Sequence, residues 1–137
     1  MIRNSPDDAT RDGASAVKAV EGLLALAQSR PRWAVSAALG NAGDAIARSR
    51  ELVAASPGEH AALLARCLRT TAKLQMERGR AMAALPLAQE AVALTRSVGG
   101  GELVVSLGRL AQVQEALHRY GEAASTYAEA EKLASAD

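Results

Sequence analysis

The residues best equipped for chemistry in this sequence are cations. Arg66, Arg69 and Lys73 fall at i, i+3 and i+7, which on a helix is a single stripe. Arginine offers a planar fork of donors that can grip a carboxylate through two hydrogen bonds, and lysine offers a mobile point charge. The plainer reading of the same stripe is a solvated helix face. Other reactive residue types are sparse: two histidines, His60 and His118, and one cysteine, Cys67. The histidines share no local carboxylate or cysteine constellation, so neither reads as a metal ligand or as one half of an acid–base pair. A single cysteine leaves no intramolecular disulfide and no cysteine-based metal cage. With Leu63 and Leu74 beside it, Cys67 reads as a small buried hydrophobe. Gly99-Gly100-Gly101 follows a helix rather than a strand and lacks the Lys-Ser/Thr of a phosphate loop, so it reads as a helix stop and linker. With no convergent nucleophile, acid–base or metal set, the sequence points away from an enzyme and towards no cofactor and no metal.

What must position the cations is a helical scaffold. The 137 residues fit one domain, and a chain of that length buries roughly two thirds of its unfolded surface. There is no Phe, one Trp and two Tyr, and alanine supplies much of the 49% hydrophobic share. Alanine has the best helix propensity and lets backbones approach closely, whereas a sheet wants Val, Ile, Thr and aromatics. No stretch alternates with period two, so the expected fold is all-α. A net charge of +1 provides no general field for nucleic acid or an anionic membrane. No apolar run approaches the ~20 residues of a membrane span, and no signal sequence opens the chain; the expectation is a cytoplasmic protein.

Residues 1–13 carry no apolar period and are expected to form a flexible N-terminal arm. Helical spacing then runs through Val17, Val20, Leu24 and Ala27 until Pro31, which suits the first position of a new helix. Trp33 opens that second helix and is read as packing under the first, with an exposed anchor as the alternative. The second helix keeps phase through Ala38, Ala42, Ala45 and Ser49; Gly40 and Gly43, at about 1 kcal/mol each, leave it either continuous or broken there. Ser56-Pro57-Gly58 ends it. The third helix, about 59–78, carries two apolar faces and so is sandwiched between neighbours. Gly79 turns the chain into a fourth, about 80–97, whose Pro86 should kink or delay the first turn. The fifth follows the triple glycine, and a turn at His118-Arg119 leads to the sixth.

Shifting the last helical pair back by 39 residues superposes Leu107 on Leu68, Ala111 on Ala72, Ala123 on Ala84, Tyr127 on Ala88 and Ala130 on Ala91. A second shift places Ala84 on Ala45 and Gly79 on Gly40. The pattern of large residues, a small residue, a turn, a small residue, an aromatic and a third small residue resembles the tetratricopeptide repeat. The last unit shows it as Leu107, Leu110, Ala111, Ala123, Tyr127 and Ala130, with Tyr120-Gly121-Glu122-Ala123 similar to the family's entry into its second helix. The middle unit fits through Leu68, Ala72, Gly79, Ala84, Ala88 and Ala91, while the first unit keeps Asp44-Ala45-Ile46 and Ser56-Pro57 but has diverged in front. A period of 39 exceeds the family's usual 34 residues. An ordinary alanine-rich bundle is the alternative.

The resemblance implies antiparallel helix pairs, about 14–57, 58–98 and 99–137, stacked as a short right-handed α-solenoid of about six helices. It also implies that Arg66, Arg69 and Lys73 face a concave groove with Arg109 nearby, and that Tyr127 fills a gap between helices. In that groove the family holds peptides or partner helices, so the implied work is that of a non-catalytic scaffold or adaptor for a protein or peptide partner of acidic character. A regulatory or sensory helical domain binding a small ligand is the second reading. Some family members clamp a peptide carboxyl terminus with Lys, Arg and Asn. This chain's asparagines, Asn4 and Asn41, lie far from the stripe, which departs from that pattern. The sixth helix ends without a polar cap, and Leu117, Tyr127 and Leu133 are candidates for a self-association end leading to a homo-oligomer.

Overall fold

The computed structural model describes residues 6–136, with side chains from Gly13 onward. Its elements are α1 (Pro6–Ser29), a 3-10 turn (Arg32–Ala34), α2 (Val35–Ala55), α3 (Pro57–Glu77), α4 (Ala81–Arg96), α5 (Gly100–Ala116) and α6 (Tyr120–Ser135). No strand occurs among the described residues. The fold is all-α, and each helix packs on the next along the chain.

Two layers result. Arg66 of α3 reaches Glu21 of α1 at 3.9 Å, and Arg69 of α3 bonds Glu102 of α5 at 3.0 Å. In the other layer Arg50 of α2 meets Glu90 of α4 at 2.6 Å, and Arg96 of α4 meets Glu129 of α6 at 2.8 Å. Between the layers runs a string of small apolar clusters, each shared by three consecutive helices. Val20 and Leu24 of α1 meet Ala45 and Cys67; Ala72, Ala84, Leu85, Ala88 and Val113 join α3, α4 and α5; Val92, Leu103, Leu107 and Ala130 join α4, α5 and α6. Alanines 38, 42, 45, 72, 84, 88, 91 and 111 are buried to 1% exposure or less. They act as spacers that let helices lie close, with leucine and valine filling what remains.

Four expectations meet the structure: three are revised, and the choice left open at Gly40 and Gly43 is decided. First, α1 begins at Pro6, so residues 6–13 of the expected arm are helical; residues 1–5 lie outside the described residues. Second, α2 runs unbroken through Gly40 and Gly43, because Ala38, Ala42, Ala45 and Ser49 bury one continuous face that outweighs the glycine cost. Third, α4 starts at Ala81 with no delay at Pro86. The proline ring is exposed, and it leaves without an i+4 donor the carbonyl of Met82, itself an exposed residue. Fourth, the triple glycine is not a linker: Gly100 and Gly101 form the first turn of α5, while Gly99, at φ +74 and ψ −165, makes the corner into it.

Candidate functional site

A cavity of about 320 Å³ opens on the face formed by α1, α3 and α5. Its floor is apolar, from Ala27 of α1, Val35 and Ala38 of α2, and Leu74 of α3. Its walls carry Arg30, Arg32, Arg66, Arg69, Lys73 and Arg109, with Glu77 the one lining carboxylate among the described residues. All four cations singled out from the sequence therefore meet at one place. The stripe on α3 supplies three because i, i+3 and i+7 share a helix face. Arg109 arrives from α5, which packs directly on α3.

The six are not equivalent. Arg69 is 9% exposed and is held by Ser106 and Glu102 of α5, Nη1 donating to Ser106 Oγ and Nη2 to Glu102 Oε2, each at 3.0 Å. It ties two helices together as well as charging the cavity wall. Arg66 is exposed and only loosely paired with Glu21. Lys73 is exposed and forms no ion pair with any described residue. Arg109 donates through Nη1 to Gln112 Oε1 at 2.7 Å, and its buried Nε has no partner among the described residues. Burial, and next the neighbouring Arg69 charge, push the Arg109 guanidinium below its ordinary value, while Glu77 pulls the other way. It stays charged at any physiological pH. Even with Glu21, Glu77 and Glu102 set against them, the six cations keep an excess of three. A chain of net charge +1 thus gathers six of its 16 basic residues around one opening.

The sequence reading missed Arg30 and Arg32, which flank Pro31 at the turn between α1 and α2. The signal was there, two arginines at a helix–helix corner, but only the fold shows that this corner overhangs α3. It also placed Trp33 under the first helix, with an exposed anchor as the alternative. The side chain is instead 87% exposed, because the short 3-10 turn carries no buried residue at all.

The proposed self-association residues fare differently from one another. Leu117 packs against the Ala72–Val113 cluster and Leu133 against the Leu103–Leu107 cluster, so both are half-buried within the core. Tyr127 is 39% exposed and donates its hydroxyl across to Glu115 Oε1 of α5 at 3.1 Å. Cys67 is fully buried, 3.4 Å from Ser49 Oγ, and burial pushes its thiol up. His118 stacks on Tyr120 at 5.7 Å between ring centroids. Among the described residues no three His, Cys, Asp or Glu side chains are grouped to hold a metal, and no helix is long and apolar enough to cross a membrane.

No family model matches the chain, and no curated protein or solved structure matches it either. The likeness to the tetratricopeptide repeat rests on the residue pattern alone.

Proposed function

We propose that the protein is a non-catalytic helical scaffold that holds an acidic segment of a protein partner in the cavity between α1, α3 and α5. The observation that carries this reading is the convergence of Arg66, Lys73 and Arg109 with Arg30 and Arg32 on one opening, with fewer carboxylates than cations around it. Cations placed this way raise the encounter rate with acidic partners and fix their register. An apolar floor beneath charged walls suits a side chain of mixed character better than bulk water.

The test uses fluorescein-labelled hexaglutamate, followed by anisotropy at increasing salt. Binding that weakens with salt, and that falls by about tenfold or more in the Arg66→Glu/Lys73→Glu double variant, supports the reading. Both side chains are exposed, so their reversal leaves the fold standing. Equal binding by the double variant and the parent chain would overturn it. The second reading, a sensory domain for a small anion, draws on the cavity's volume of about 320 Å³, which lies within the range of small-molecule sites. Tight binding of inorganic pyrophosphate with none of hexaglutamate would favour that reading and displace the first.

A further inference from the structure

Trp33 is the chain's single tryptophan and the most exposed of its large apolar side chains among the described residues, at 87%. Leaving an indole in water forgoes a large apolar burial. The exposure does not come from a slack loop. Pro31 is held extended at φ −66 and ψ 160, and Ala34 N–H donates to Pro31 O at 2.9 Å. Arg78 Nη1, from the end of α3, donates to Ser36 Oγ at 3.1 Å just beyond the turn. Among the described residues no ring or cation stacks on the indole. The turn is thus built, and it presents Trp33 outward.

The turn that carries Trp33 also borders the basic cavity. Arg30, Pro31 and Arg32 all line the basic cavity, and Trp33 is the next residue, one Cα step of ~3.8 Å further on. Trp33 does not itself line the cavity, but its backbone is one residue from Arg32, so the residues flanking a seated acidic segment come close to the turn that carries the indole. Charge complementarity chooses the acidic part of that chain; the indole chooses what stands beside it.

We infer that the segment held here carries a bulky apolar residue, aliphatic or aromatic, directly flanking its acidic residues, and that this residue packs on Trp33. The inference rests on the cavity's receiving an acidic segment and adds the second half of its recognition code. It divides the work in a physically sensible way. Exposed charges steer and orient, whereas a tryptophan that becomes buried slows dissociation and accounts for a disproportionate share of affinity.

The experiment compares two labelled peptides on the full chain, hexaglutamate flanked by serines and hexaglutamate flanked by leucines. Affinity is read by anisotropy and the environment of the indole by its own fluorescence, which no other tryptophan obscures. The leucine peptide is expected to bind about tenfold more tightly and to shift the Trp33 emission to the blue. In Trp33→Ala that advantage disappears, while the serine peptide binds as before. Equal affinity for the two peptides, or a leucine preference that survives Trp33→Ala, overturns the inference and leaves the acidic-segment reading intact. Binding of neither peptide overturns that reading and the inference with it. A self-associated state seen in sedimentation and abolished by Trp33→Ala assigns the indole to a second copy of this chain, and likewise overturns it.

Discussion

Gly79 and His118 stand 39 residues apart and close α3 and α5 in the same left-handed conformation, at φ +76 and φ +61. Around each the backbone bonds repeat. Arg80 N–H reaches Gln75 O and Arg119 N–H reaches Gln114 O, both at 2.8 Å, while Gly79 N–H to Met76 O and His118 N–H to Glu115 O are both 2.9 Å. Both are the same helix-ending motif, which wants glycine at the left-handed position. One copy has glycine and the other has histidine, whose Cβ crowds the carbonyl there at a cost of about 1 kcal/mol. His118→Gly should therefore stabilise the protein by up to about 1 kcal/mol, less whatever the stacking on Tyr120 contributes. Gly79→Ala should destabilise it by about 1 kcal/mol or a little more, and from backbone conformation alone, since no atom beyond the adjoining residues lies within 4 Å of a Cβ built there. Denaturant midpoints measure both. A neutral Gly79→Ala would show that the motif does not constrain the turn.

That repeated turn shows why much of the fold could be read in advance. Proline at 31 and 57 and glycine at 79 and 99 punctuate the chain, and the apolar positions between them follow the helical period, so existence and order of the helices follow from local signals. The same rule hid the start of α1: Pro6-Asp7-Asp8 suits a helix N-terminus, but no apolar period follows until Ala14 and beyond. The site was legible where it lay on one helix face, as with Arg66, Arg69 and Lys73. It was illegible where distant segments meet. The partners of Arg69 are 33 and 37 residues away, and the overhang of Arg30 and Arg32 depends on how α1 and α2 pack on α3. Trp33 failed for a related reason: hydrophobicity says a residue is better buried, not that its turn has anything to bury it against.

The difference between Arg69 and Lys73 is a prediction about stability. Arg69→Ala removes two hydrogen bonds that join α3 to α5, one of them to a carboxylate, and should cost about 2 kcal/mol. The cost stays moderate because Glu102, 41% exposed in its side chain, can rehydrate. Lys73→Ala, at an exposed site without an ion pair among the described residues, should change stability by less than about 0.5 kcal/mol. Urea titrations of both variants decide it. Equal effects would mean that the Arg69–Ser106–Glu102 bonds contribute nothing to the junction, and that Arg69, like Lys73, is free to serve a ligand.

Acid sensitivity should trace in part to Glu90. Its two hydrogen bonds from Arg50, at 2.6 and 3.0 Å, hold the carboxyl below its ordinary value against the opposing effect of burial. A carboxylate whose folded value is depressed stabilises the fold above its unfolded value of about 4.3 and loses that contribution as pH falls through the lower folded one. Both partners are substantially exposed, so the effect should stay under about 1 kcal/mol. In Glu90→Gln the decline of stability between about pH 5 and 3 should be shallower than in the parent chain. An unchanged slope, measured by thermal melts across that range, would rule out the α2–α4 pair as a source of acid sensitivity.

Cys67 is the corresponding probe at high pH and of the core itself. The thiol has no exposure and burial pushes it up, so the folded protein keeps the proton at pH values where the unfolded chain has lost it. Its contribution is complete below the unfolded thiol's value, about 8.5, and is lost as pH rises from there through the raised folded value. Stability should accordingly fall more steeply above about pH 8.5 in the parent chain than in Cys67→Ala. The same burial makes alkylation a clock for opening. Because α1, α2 and α3 all close over the thiol, iodoacetamide can reach it only when that end of the array separates. Native labelling should be slower than labelling in denaturant by a factor on the order of 10³ or more, set by the free energy of opening. Comparable rates in the two conditions would mean that the first helix pair is not stably docked on the second.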